Sequence, residues 1–182
     1  MYVARVLYPV EVLGPGKRIG IWFCGCPRRC KGCSNPELWE FNDRYKTDVE
    51  TVLKLIKSIA DEHVVDGFTI TGGEPFYQKE ELKSLIRFLK QITDDIIVYT
   101  GYKKDDITPE YLENISVLID GEYVEKLNDN SLLRGSSNQT IHILDKNKTG
   151  KYSAFFHTET NKIQNFFTSD GVISVGIHRP DF

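Results

Sequence analysis

Short apolar runs alternate with amphipathic segments along most of the chain. Runs bounded by glycine, proline and polar residues predict six strands, at 3–8, 19–23, 68–71, 96–100, 116–120 and 141–144. Apolar residues at helical spacing predict helices over 49–60 and 82–92, and Thr47 followed by Glu50 predicts a capping box for the first helix. Thr108 and Pro109 predict the start of a short helix. This alternation is typical of an α/β fold with a mostly parallel sheet.

The end of the chain follows a different pattern. Two apolar runs, 162–168 and 172–177, are separated by Ser169-Asp170-Gly171 and predict a terminal hairpin within 162–178. No linker or internal repeat divides the sequence, so we predict a single domain over residues 1–182.

Glycine and small polar residues directly follow three of the predicted strands. They form Thr71-Gly72-Gly73-Glu74, Thr100-Gly101-Tyr102 and Asp120-Gly121-Glu122. The carboxyl ends of parallel strands meet at one edge of a sheet, where ligands of such folds bind. We therefore predict a functional site at this edge.

Composition narrows the possible partners. Hydrophobic residues make up 40% of the 182 residues and charged residues 27%, as expected of a globular protein, and the net charge of −3 predicts no general attraction to nucleic acid or to an anionic membrane. The start of the chain lacks the pattern of a signal peptide, and no apolar run has the length of a membrane span. We expect a cytoplasmic protein.

All four cysteines fall within ten residues, at Cys24, Cys26, Cys30 and Cys33. Disulfides stabilise chiefly by closing long loops, so such crowding favours metal ligation. The C-x3-C-x2-C spacing of the last three allows them to bind three corners of one iron-sulfur cube, which leaves one iron open. A four-cysteine zinc site remains the alternative. Three roles are open for Cys24: a fourth cluster ligand, a redox thiol or a small buried side chain at the strand end. We favour the buried side chain.

The segment Thr71-Gly72-Gly73-Glu74-Pro75 adds a second motif. Its two glycines let the main chain approach a ligand closely, and Glu74 supplies a carboxylate for an ammonium group. Together with the three cysteines and the βα pattern, this segment resembles the radical S-adenosylmethionine (SAM) superfamily. The resemblance implies a [4Fe-4S] cluster on Cys26, Cys30 and Cys33, and a glycine segment that binds the methionyl amino group of SAM.

A closer resemblance links the chain to the activating proteins of anaerobic (class III) ribonucleotide reductase. The residues that carry it are Gly25-Cys26-Pro27, Cys30-Lys31-Gly32-Cys33, Asn35-Pro36-Glu37-Leu38-Trp39, Tyr99-Thr100-Gly101-Tyr102, Ile119-Asp120-Gly121 and Arg134-Gly135-Ser136-Ser137-Asn138-Gln139, besides the glycine segment. The resemblance implies an open, truncated (βα)6-type barrel. It also implies an enzyme that cleaves SAM to a 5′-deoxyadenosyl radical and installs a glycyl radical on the large reductase subunit, with electrons from an external flavodoxin or ferredoxin.

Further side chains are weighed against simpler explanations. Thr100 is expected to border the adenosine of SAM, Asp120 either to bind SAM or to form a turn, and Arg134 to pair with the SAM carboxylate. Trp39 is expected to pack near the cluster loop at 24–39, and Arg28 to lie on a solvated part of that loop. No catalytic residue is assigned beyond the cluster ligands. Two alternatives stay open: a radical SAM enzyme for another substrate (deazaguanine-type ring contraction or peptide modification), and a non-catalytic iron-sulfur or zinc module.

Overall fold

Six strands form one sheet in the computed structural model, which describes residues 1–169 and 171–178. Asp170 of the predicted hairpin turn lies outside the described residues. The strands are β1 (Val3–Val10), β2 (Arg18–Phe23), β3 (Gly67–Gly72), β4 (Ile96–Tyr99), β5 (Val117–Asp120) and β6 (Thr140–Ile143). They lie side by side in chain order; β2 to β5 are parallel, and β1 and β6 are antiparallel edge strands. The mostly parallel α/β sheet is therefore confirmed.

Two helices cover one face of the sheet. Helix α1 (Val49–Glu62) connects β2 to β3, and α2 (Lys79–Leu89) connects β3 to β4. Their apolar stripes pack on alternate residues of the central strands, such as Ile21, Ile70 and Val98. A 3₁₀ turn at Pro109–Tyr111 follows Thr108, as the proline predicted.

The capping box predicted for α1 is wrong by one residue. Asp48 is the N-cap, and its carboxylate accepts a hydrogen bond of 2.7 Å from the Thr51 backbone N–H. Thr47 lies one residue before the cap, and its backbone N–H donates to the Met1 carbonyl. Aspartate and threonine are both common N-cap residues. Thr47 and Asp48 are adjacent, so residue type alone does not decide which of them caps the helix.

The opposite face of the sheet is covered by the last third of the chain. Helix α3 (Thr149–Thr158) packs on the β4 and β5 side. Strands β7 (Ile163–Thr168) and β8 (Gly171–Gly176) form a separate antiparallel sheet, which confirms the terminal hairpin. Val175 of β8 is buried against Trp22 of β2. Both faces of the central strands are thus apolar, which explains why these strands read as continuous apolar runs.

A buried ion pair closes the amino end of the parallel strands. Arg18 begins β2 and is fully buried; its guanidinium donates to Thr69 Oγ1 at 2.8 Å, to the Phe68 carbonyl at 2.6 Å and to the Asp95 carboxylate at 3.1 Å. Asp95 also accepts from the Tyr152 hydroxyl of α3 at 2.6 Å. Burial works to raise the pKa of Asp95, but Arg18 and the α3 donors hold it below its usual value.

The carboxyl end of the strands carries loops instead of such a network.

No helix among the described residues combines the length and apolar character needed to cross a bilayer.

Candidate functional site

The loops after four parallel strands line one cavity of about 180 Å³ at the carboxyl edge of the sheet. The three cysteines of the C-x3-C-x2-C motif lie on its wall, as do the glycine segment after β3 and the loop after β4. The hairpin supplies a further wall. The lining includes Cys26, Cys30, Cys33, Trp39, Gly72, Gly73, Glu74, Thr100, Tyr123, Gln139, Ser174 and Val175.

The cysteine loop is folded back on itself by main-chain hydrogen bonds. Gly25 N–H donates to the Leu38 carbonyl at 2.8 Å, and Cys26 N–H donates to the Trp39 carbonyl at 2.7 Å. Leu38 is fully buried at the end of a 3₁₀ turn and anchors the returning segment. Gly25 has a φ of +99°, a conformation that side chains disfavour. Main-chain bonds and the Gly25 conformation therefore define the shape of the loop.

Cys26, Cys30 and Cys33 are half-buried around the cavity. Burial raises the pKa of Cys26, and burial together with the Glu122 carboxylate, 3.8 Å from the sulfur, raises the pKa of Cys30 to about 11. Iron binds thiolates, so an iron-sulfur cluster bound by these cysteines would release their protons. Among the described residues, no three His, Cys, Asp or Glu side chains lie close enough to hold a single metal ion. The ligands of a cube, in contrast, bind separate irons.

Cys24 lies apart from the other three cysteines. Its side chain is fully buried, and its thiol donates to the Glu40 carbonyl at 3.0 Å. It does not line the cavity. The structure therefore places Cys24 as the buried side chain that the sequence favoured.

The glycine segment is clamped against the cysteine loop. Gly73 N–H donates to the Phe23 carbonyl at 2.8 Å, and Glu74 N–H donates to the Gly25 carbonyl at 2.9 Å. Gly72 has a φ of +108°, and a Cβ there would lie 2.4 Å from the Phe23 carbonyl oxygen. A Cβ on Gly73 would lie 2.6 Å from the Gly25 carbonyl oxygen. Both positions require glycine because two main chains touch here.

Glu74 joins the loops after β3 and β4. Its side chain is 1% exposed, and its carboxylate accepts from Thr100 Oγ1 at 2.8 Å, from Gly101 N–H at 2.8 Å and from Phe76 N–H at 3.1 Å. Burial raises the pKa of Glu74 against the opposing effect of these donors. Pro75 follows as the first residue of a 3₁₀ turn and is itself buried, away from the cavity wall. Glu74 thus connects the two loops, and its carboxyl group borders the cavity.

Two predicted SAM contacts have other partners. The Asp120 carboxylate accepts from Lys104 N–H at 2.7 Å and lies 3.1 Å from His142 Nε2. Arg134 pairs with Asp129 at 2.9 Å. Neither side chain lines the cavity, because each points toward a charged or polar partner outside it. The structure therefore brings Gly72, Gly73, Glu74 and Thr100 to the cysteines, but not Asp120 or Arg134.

The charged residues of the cysteine loop do not behave alike. Lys31 is 87% exposed, and Arg29 pairs with Glu40 at the surface. Arg28 instead lines the cavity, with its guanidinium carbon 4.5 Å from the centre of the Tyr102 ring. Its Nε atom is buried and has no hydrogen-bond partner among the described residues. The expectation of a solvated loop therefore fails for Arg28.

Other cavity residues were not assigned from the sequence. Gln139 accepts from Gly135 N–H at 2.8 Å and donates to the Gly121 carbonyl at 2.8 Å, so it ties two loops together. It lies in the Arg134–Gln139 run, in which the sequence points to the arginine as the SAM contact. Ser174 and Val175 reach the cavity through the hairpin. No local pattern marks them, because their approach depends on long-range packing.

Comparison with known proteins defines the class. Residues 12–142 match the family model described as "4Fe-4S single cluster domain". That range contains the cysteine loop, the glycine segment and strands β2 to β5. The chain is thus an iron-sulfur protein of the single-cluster type, which favours a cluster over zinc at the three cysteines.

Relatives of known name are similar over most of their length. The anaerobic ribonucleoside-triphosphate reductase-activating protein of Enterobacteria phage T4 is 36% identical over 141 residues, which cover 74% of this chain and 90% of the relative. The proteins of the same name from Haemophilus influenzae (34% identical over 146 residues, 74% and 94%) and Salmonella typhimurium (33% over 148 residues, 75% and 96%) are similar as well. The chain belongs to the family of anaerobic ribonucleoside-triphosphate reductase-activating proteins, which confirms the resemblance seen in the sequence.

Proposed function

We propose that the chain is a radical SAM activase that installs a glycyl radical on anaerobic ribonucleotide reductase. The observation that carries the proposal is the shared cavity: three cysteines of one loop and a glycine segment that tolerates no Cβ face each other at the carboxyl edge of the sheet. The names of the relatives supply the partner, an anaerobic ribonucleoside-triphosphate reductase, and we place the target glycine on its large subunit.

The cysteines fit a [4Fe-4S] cluster with one open iron. Cys26, Cys30 and Cys33 line the cavity, whereas Cys24 is buried with its thiol on a backbone carbonyl. Three ligands leave the fourth iron free for a chelating substrate. The chemistry that the bound cluster would supply is the one-electron cleavage of SAM into methionine and a 5′-deoxyadenosyl radical.

The residues of the chain bind and orient SAM beside this position. Gly72 and Gly73 allow the main chain to approach the methionyl group closely, and the buried Glu74 carboxylate places negative charge where the ammonium group would lie. Thr100 is fixed beside them by its hydrogen bond to Glu74. The hairpin wall around Ser174 reduces the access of water to a reactive radical.

We infer that the sheet is the open, truncated (βα)6-type barrel of the radical SAM superfamily. Its strands follow one another in chain order, and its parallel strands end at the cavity. An open barrel suits a macromolecular substrate, because a loop of the reductase must reach the site. The sequence contains no motif for a flavin or a second cluster, so an external flavodoxin or ferredoxin would supply the electron.

The test is anaerobic reconstitution with iron and sulfide, followed by SAM and dithionite. The wild-type protein and Cys24→Ala should form 5′-deoxyadenosine, whereas Cys30→Ala should form none. Addition of the large reductase subunit should then give the electron paramagnetic resonance (EPR) signal of a glycyl radical. Product without that signal would indicate another substrate for the same chemistry. A full, reducible cluster that gives no product would refute the radical SAM proposal.

A further inference from the structure

A polar groove adjoins the cavity of the three cysteines. Its volume is about 560 Å³, compared with about 180 Å³ for the cavity. The residues that line both spaces are Cys33, Ser34, Asn35, Tyr123, Ser174 and His178. A further space of about 490 Å³, beside β6, shares only Gln139 with the cavity. Of these two neighbouring spaces, the groove beside Cys33 is therefore the larger and has the longer common wall with the cavity.

The walls of the groove come from separate elements that contact one another. Arg5 of β1 pairs with Glu37, which follows the cysteines, at 2.5 Å. On the other side, Glu125 in the loop after β5 pairs with Lys31 of the cysteine loop at 3.2 Å. A Cβ on Gly32 would lie 2.6 Å from a Glu125 carboxylate oxygen, so the two loops touch here. These contacts shape the groove in advance, as is usual for a ligand site.

The lining of the groove fits the main chain of a protein segment. The Ser34 hydroxyl and the Asn35 amide can each donate and accept a hydrogen bond, which matches the N–H and C=O groups of a peptide. Neither side chain forms a hydrogen bond within the part of the chain that the structure describes. On the hairpin wall, Val172 is 58% exposed and offers an apolar contact. The groove can therefore contact both the main chain and the side chains of an extended segment.

The charges around the groove favour a neutral occupant over a nucleotide. Arg5 is engaged by Glu37, and the carboxylate of Glu125 is engaged by Lys31. Burial lowers the pKa of His178, so its imidazole is neutral at pH 7. A phosphate group would require a cation that is not already paired, because its recognition depends on charge-assisted bonds. A neutral peptide has no such requirement.

We propose that this groove binds the segment of the anaerobic ribonucleotide reductase that carries the target glycine. The inference rests on the proposed function, in which a glycine of the reductase must reach the cavity. A segment bound between Ser34 and Val172 would lie beside Cys33, which lines the groove and the cavity alike. Glycine has no Cβ, so the main chain at that residue can approach the cavity more closely than at any other.

The first test blocks the groove and leaves the cavity unchanged. Val172 lines the groove but not the cavity, so Val172→Trp adds bulk only to the proposed peptide site. Val64→Trp is the matched control, because Val64 is 75% exposed and lines neither space. Each protein is reconstituted anaerobically with iron and sulfide and given SAM and dithionite. It is assayed alone for 5′-deoxyadenosine and then with the large reductase subunit for the glycyl radical.

We expect Val172→Trp to form 5′-deoxyadenosine at the wild-type rate but to give about tenfold less glycyl radical, the loss expected when a central contact of an interface is blocked. Val64→Trp should match the wild type in both assays. A wild-type yield of glycyl radical from Val172→Trp, or an equal loss in both variants, would overturn the groove proposal. A wild-type protein that forms no 5′-deoxyadenosine would refute the proposed function instead, and the second test then decides on the groove.

The second test is photo-crosslinking, which needs neither SAM nor a cluster. The photoreactive residue p-benzoylphenylalanine replaces Val172 in one protein and Val64 in the other, and each protein is irradiated with the large reductase subunit. We expect a crosslink from position 172 alone, which mass spectrometry should place in one glycine-containing segment of the reductase. No crosslink from position 172, or equal crosslinking from both positions, would refute the groove as the binding site.

Discussion

The contact between the glycine segment and the cysteine loop gives the sharpest prediction. Replacement of Gly73 by alanine would place a Cβ 2.6 Å from the Gly25 carbonyl oxygen, which is about 0.8 Å closer than the 3.4 Å at which ordinary contact begins (3.4 minus 2.6 Å). The Gly73 backbone is not in the left-handed region, so alanine causes no backbone strain there. The only obstacle to alanine at this position is steric. The obstacle is main chain and cannot rotate away. Relief requires the Gly25 segment to move, together with the adjacent Cys26.

The expected loss follows from two effects of this movement. Overpacking of a tight contact costs about 1–3 kcal/mol. The 2.9 Å hydrogen bond from Glu74 N–H to the Gly25 carbonyl is lost or weakened, which costs about 1 kcal/mol more. A glycine-to-alanine change also restricts the unfolded chain, which offsets about 0.4–1 kcal/mol. We expect Gly73→Ala to lower the free energy of unfolding by about 1–3.5 kcal/mol.

The assay is urea unfolding of the cluster-free protein under reducing conditions, followed by circular dichroism. Gly150→Ala is the matched control, because a Cβ on Gly150 of α3 meets nothing within 4 Å. Alanine in a helix is preferred over glycine, so the control should be unchanged or up to about 1 kcal/mol more stable. If Gly73→Ala loses less than about 0.5 kcal/mol relative to wild type, the main-chain contact is not tight and the reasoning is wrong.

Three further predictions concern the buried polar groups and Cys24. Cys24→Ala should keep its cluster and lose about 1–2 kcal/mol of stability through the cavity left behind, measured by iron analysis and urea unfolding; loss of iron would contradict its placement. Arg18→Met should lower the free energy of unfolding by about 3–5 kcal/mol, because the buried Asp95 carboxylate would lose the Arg18 guanidinium that pairs with it. An unchanged urea midpoint would refute this prediction. The pKa of Asp95 is lowered in the fold, so its stabilisation is present above about pH 4 and lost as the pH falls below that value. Stability curves from pH 7 to pH 2 should show this loss in wild type, and a smaller one in Asp95→Asn.

The sheet was predictable because its strands are buried on both faces. Runs such as Ile96–Tyr99 have side chains that pack against helices on one side and against α3 or the hairpin on the other, so nearly every residue is apolar. Helix α3 was not predicted. It contains Gly150 and several aromatic residues, it has no apolar stripe, and only Tyr152 is fully buried. The ion-pair network around Asp95, which holds that tyrosine, involves contacts far apart in the chain.

The candidate site also has a part that the sequence predicts and a part that it does not. The three cysteines and the pair Gly72-Gly73 could be found because each motif is local, and its spacing alone limits what it can bind. The direction of a long side chain depends on its neighbours in the fold and is not set by its local sequence. Arg134 lies in the right loop, but its guanidinium turns to Asp129, and the polar run around it gave no sign of that choice. Charged side chains select among partners by geometry that only the fold defines.

The cavity is lined by more of the chain than the segment that matches the family model, because the hairpin also contributes to it. The family model ends at residue 142, within β6, so α3 and the hairpin lie beyond the matched range. Strand β8 nevertheless lines the cavity, and Val175 is buried against Trp22 of the sheet. The three cavity cysteines and the glycine contacts thus come from the matched segment, whereas part of the outer wall is added after it. Because that wall is held by apolar packing and the cysteine loop by local main-chain bonds, substitutions in β8 should change access to the cavity without displacing the cysteines.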